Sequence, residues 1–121
     1  MEEITPKAFL PKVAWVIGSL AQLHEEIGWL DEAERGFMES IGIYRELAEK
    51  TPDAYLSYVA WAVNGLAGLH CRTKRFEEAE REYKEGLNIV RGLSAKNNDA
   101  FYTANGARFI VNLANLHRDI G

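Results

Sequence analysis

Apolar residues recur three and four positions apart along most of the chain, interrupted by glycine, proline and short polar runs. Val13, Ile17, Leu20, Ala21, Leu23 and His24 follow the spacing expected of one buried face of an α-helix. Gly28 then breaks the pattern as a helix C-terminal signal, and Asp31 offers an N-cap for a second helix. Ala33, Phe37, Ile41 and Tyr44 share a face of that second helix. Thr51-Pro52 and Asn97-Asn98-Asp99 mark further breaks, with Pro52 suited to a first helical position. The spacing predicts five helices, at roughly 7–27, 31–49, 53–73, 76–94 and 100–119, and no strand. Pro11 lies deep in a helix that starts near Pro6, so this helix is either kinked there or starts at Pro11.

The pattern repeats. Shifted by 46 residues, Thr5-Pro6 falls on Thr51-Pro52, Phe9 on Tyr55, Val13 on Val59 and Ala14-Trp15 on Ala60-Trp61. The match continues with Leu20-Ala21 on Leu66-Ala67, Leu23-His24 on Leu69-His70, Glu32-Ala33-Glu34 on Glu78-Ala79-Glu80 and Phe37 on Tyr83. A third copy, Leu113-Ala114 and Leu116-His117, lies 47 residues further on, which places one extra residue between about Phe101 and Ile110. The expected organisation is a single domain over 1–121. Its first repeat covers about 5–50, its second about 51–96, and a half repeat covers about 97–121.

Leu66-Ala67-x-Leu69-His70 followed by Arg75-Phe76-Glu77-Glu78-Ala79-Glu80-x-x-Tyr83 resembles a tetratricopeptide repeat. It is most similar to the long-period variety of kinesin light chains and many microbial repeat proteins. The first copy, from Leu20-Ala21 through Gly28 and Leu30 to Phe37, resembles it as well. The resemblance implies an all-α solenoid of antiparallel helix hairpins, about two and a half repeats in five helices. It also implies close helix crossings at Leu66, Ala67 and Ala79, with Phe76 and Tyr83 filling the space between hairpins.

A protein of this kind is a scaffold whose partner is another protein or peptide. Carried over residue by residue, the family's concave peptide-binding face falls on Trp15, Gln22, Trp61, Asn64, Arg72, Arg108, Asn112, Asn115 and Arg118. The Asn and Arg residues supply donors for a peptide carboxylate. In the first unit Gly18 and Ser19, with acidic Glu25 and Glu26 nearby, depart from the carboxylate-clamp pattern. Trp15 and Trp61 occupy equivalent positions, either as core between hairpins or as an aromatic ledge for a partner. The half repeat implies a second interaction. Phe109, Leu113, Leu116 and Ile120 are candidates for self-association as a homodimer or larger assembly, or for contact with the rest of a longer array.

Composition narrows the classes. Net charge is −4 and no basic face is evident, which argues against nucleic acid. No run of about 18 apolar residues points to a membrane, and Met1-Glu2-Glu3 lacks the features of a signal peptide. The single cysteine, Cys71, fits a reducing compartment, so a cytoplasmic location is expected. His24, His70 and His117 recur once per unit, where the family packs an aromatic residue, and they read as structural positions instead of metal ligands. No glycine-rich nucleotide cradle or acid–base pair is evident, so neither a cofactor nor an enzymatic activity is expected.

Overall fold

The computed structural model describes the backbone of residues 6–97 and 100–120, and side-chain surroundings over 8–96 and 108–118. Five helices follow one another: α1 (Pro6–Glu26), α2 (Leu30–Lys50), α3 (Pro52–Arg72), α4 (Phe76–Asn97) and α5 (Ala100–Ile120). Each packs against the next as an antiparallel neighbour, and no strand occurs among the described residues. This is the all-α array of helix hairpins that the repeat predicts.

Equivalent turns end α1 and α3. Gly28 has φ +89°; its N–H bonds to Glu25 O at 3.1 Å, and the Trp29 N–H to His24 O at 2.8 Å. Lys74 has φ 64°; its N–H bonds to Cys71 O at 3.1 Å, and the Arg75 N–H to His70 O at 2.7 Å. Both are Schellman closures, which satisfy carbonyls at a helix end through one residue in the left-handed region. This closure corrects the expected cap at Asp31. The chain is already set at Trp29, whose carbonyl accepts the Ala33 N–H at 3.0 Å, so α2 begins at Leu30. Asp31 and Glu32 lie instead in the first turn, where their charge complements the positive end of the helix dipole. At the other doubtful position α1 runs through Pro11 from Pro6, with one rung of its hydrogen-bond ladder missing.

Two clusters form the core. Ala14, Ala21, Phe37, Tyr44, Val59, Val63 and Leu69 join α1, α2 and α3. Ala67, Ala79, Tyr83, Val90, Phe109 and Leu116 join α3, α4 and α5. Ala67 and Ala79 are fully buried, as a close helix crossing requires.

The apolar stripe expected on α1 needs correction. Val13, Leu20 and Leu23 are exposed, and Ile17 and His24 are half-buried. The face that packs on α2 is instead the small one, Ala14, Gly18 and Ala21. In α3 the equivalents Val59, Leu66 and Leu69 are buried because α2 covers them; no described residue covers that side of α1.

Candidate functional site

Aromatic residues converge where the first half of α1 faces the first half of α3. Pro11, Lys12, Trp15 and Val16 of α1 and Ala54, Tyr55 and Tyr58 of α3 form the walls of a cleft of about 770 Å³. Tyr44 of α2 also lines it. The Tyr44 and Tyr58 rings stack at 5.1 Å with planes 19° apart, and Tyr55 lies tilted beside Tyr58 at 6.4 Å. The Tyr44 hydroxyl stands 3.5 Å from the Pro11 carbonyl. Burial, and then the neighbouring Tyr58 and Tyr55, push its pKa up to about 12, so it remains a neutral phenol at ordinary pH. Among the described residues, Lys12 is the one charged residue in the lining.

The two tryptophans that match in sequence differ in surroundings. Trp61 packs on the first core cluster, edge-on to Tyr44 at 6.5 Å, with its ring over Gly18. Trp15 is 54% exposed and belongs to the cleft. The core alternative thus describes Trp61, while Trp15 lies outside the core.

Several other residues expected on the peptide-binding face are engaged with one another. Asn112 donates to Asn64 Oδ1 at 3.0 Å, and Arg118 to Asn115 Oδ1 at 3.1 Å. Arg72 donates to the Glu25 carbonyl at 2.9 Å and lies 3.4 Å from its carboxylate. Gln22 and Arg108 are exposed. Of the nine, only Trp15 lines the cleft. Pro11, Lys12, Tyr55 and Tyr58 are missed by sequence reasoning, which follows the concave-face positions implied by the resemblance. The available signal was Tyr55 and Tyr58 one helical turn apart, ahead of Trp61 on the same helix.

Three of the four residues expected for self-association are buried within the chain. Phe109, Leu113 and Leu116 are buried in the cluster shared by α3, α4 and α5, because α4 itself covers them. The side chain of Ile120 lies outside the described residues.

Two of the three repeated histidines join neighbouring hairpins. His70, 4% exposed, has Nδ1 2.8 Å from Glu82 Oε1 and Nε2 3.0 Å from Glu34 Oε2. Each contact needs a proton, so the group holds either an imidazolium between carboxylates or a neutral ring beside a protonated carboxyl. The hydrogen bond from His70, helped by Arg75, holds Glu34 below the ordinary carboxylate range, while burial pushes Glu82 up. His117 repeats half of this arrangement, 2.8 Å from Glu80 Oε2. His24 stacks on Trp29 at 5.4 Å instead. No group of His, Cys, Asp and Glu among the described residues is arranged to hold a metal ion. No described helix is long and apolar enough to cross a membrane.

No protein-family model matches the chain, and no curated protein matches it either.

Proposed function

We propose that this chain is an interaction module of the tetratricopeptide type that holds an extended peptide in the aromatic cleft between α1 and α3. The carrying observation is the cleft itself, lined by Trp15, Tyr55 and Tyr58 together with Tyr44. Flat aromatic walls suit proline rings and other apolar side chains of a chain held in polyproline geometry, which loses little entropy on binding. Lys12 at the rim adds one site for a carboxylate. The ligand this chemistry selects is a short proline-containing peptide with an acidic residue or C-terminus at one end. A cytoplasmic binding protein without enzymatic activity is the reading that goes with it.

The inner-face Asn and Arg residues support this assignment less well, because Asn64, Arg72 and Asn115 already meet partners within the chain. A test is fluorescence anisotropy with a panel of labelled proline-containing peptides, with and without a terminal acidic residue. The expected result is binding that weakens at least about tenfold in a Trp15→Ala, Tyr58→Ala double variant of unchanged helicity. Undiminished binding by that folded variant would place the ligand elsewhere.

A further inference from the structure

Among the described residues, nothing covers one side of α1. Phe9, Val13, Val16, Leu20 and Leu23, with Ile27 in the following turn, are each 41–61% exposed. They alternate four and three positions apart, the spacing of a coiled-coil seam, over about 27 Å of helix. The seam lies opposite Ala14, Gly18 and Ala21, which face α2. Elsewhere in the chain this face is buried, for Val59, Ala62, Leu66 and Leu69 of α3 stand at the equivalent positions beneath α2.

We propose that the α1 seam pairs with α1 of a second copy of this chain, antiparallel, about a two-fold axis near Gly18. The seam is complementary to its own reverse. Val13 meets Leu23 of the second copy, Val16 meets Leu20, and Phe9 meets Ile27. Along one edge run Lys12, Ser19 and Glu26 at seven-residue spacing. Reversal brings Lys12 of each copy opposite Glu26 of the other, giving two symmetric ion pairs with Ser19 between them. A parallel pairing makes neither. Among the described residues Lys12 and Glu26 take part in no ion pair within the chain, so both charges are available. Leu10, Ile17 and His24, half-buried, run along the other edge.

The seam shares Lys12 and Val16 with the cleft wall, but its test needs no peptide: light scattering on the full chain over a wide concentration range. The expected result is a mass rising from monomer to dimer. Leu20→Glu, at a position exposed in the single chain, keeps its helical content and stays monomeric. Lys12→Glu raises the dimer dissociation constant about tenfold, and adding Glu26→Lys restores it. A wild-type mass that stays monomeric throughout overturns the proposal, as does a dimer that survives Leu20→Glu or a double reversal that fails to restore pairing. A monomer that instead takes up a synthetic amphipathic helix overturns it too and assigns the seam to a foreign partner.

Discussion

The edge of the Trp61 ring fills the space where a side chain at Gly18 would stand: a Cβ there would lie 2.9 Å from Trp61 Cη2 and Cζ3. Phe37 crowds Gly65 in the same way, at 2.5 Å, and is itself fully buried with little freedom to retreat. Gly42 has nothing within 4 Å. Alanine at these three positions therefore separates packing from helix propensity. Gly18→Ala is expected to lower unfolding free energy by about 1 kcal/mol and Gly65→Ala by about 2–3, while Gly42→Ala raises it by about 0.5–1. Urea denaturation of the three variants checks the order.

The tryptophans provide a second comparison, since their sequence environments match and their structural ones do not. Trp61→Ala opens a space beside Tyr44 in the first core cluster and is expected to cost about 2–3 kcal/mol. Trp15→Ala removes a largely exposed ring and is expected to change stability by less than about 0.5 kcal/mol. Thermal unfolding of the two variants at low protein concentration reads the difference.

This pair also marks how far the sequence is legible. Helix number and the break at Gly28 follow from spacing, which is a local property, and the close crossing at Ala67 and Ala79 is what the resemblance implies. Burial of a whole helix face is not local. Val13, Leu20 and Leu23 carry the same pattern as Val59, Leu66 and Leu69, but among the described residues only the second set has a helix in front of it. Periodicity reports that a face is apolar and leaves open what covers it, so it assigns α1 and Trp15 the surroundings of their better-covered copies. The cleft is hidden for a related reason. Tyr44, Tyr55 and Tyr58 come from two helices, and Tyr44 reads from its spacing as ordinary core.

The two Schellman turns make a third comparison. Gly28→Ala forces a side chain into the left-handed region at φ +89° and is expected to cost about 1–2 kcal/mol. Lys74→Gly relieves the same strain at φ 64° in the second turn, offset by the greater freedom of glycine in the unfolded chain. The expected outcome is a gain of up to about 1 kcal/mol, measured by the same urea titration.

Glu34 and Glu82 act oppositely on acid stability. Glu34 is lowered from 4.5, first by the hydrogen bond from His70, so its contribution is present above 4.5 and is lost as pH falls through the lower folded value. Glu82 is raised by burial, so its contribution is present in acid and is lost as pH rises through the raised value. Glu34→Gln should therefore flatten the fall in melting temperature below pH 4.5, and Glu82→Gln should remove the gain in stability that Glu82 gives above it, as pH falls through the raised value toward 4.5. Melting curves across the acid range decide both.

Most tertiary contacts join helices that are consecutive along the chain, and alternate helices meet only in places such as Trp61 over Gly18, Arg45 with Glu85 and Asn112 with Asn64 among the described residues. Such a molecule behaves mechanically like a coiled spring. Stretched from its ends it has no distant strand pairing to tear, so it yields hairpin by hairpin at low force and rewinds from whichever hairpin survives. Damage to one turn softens the spring there and leaves the neighbouring coils wound.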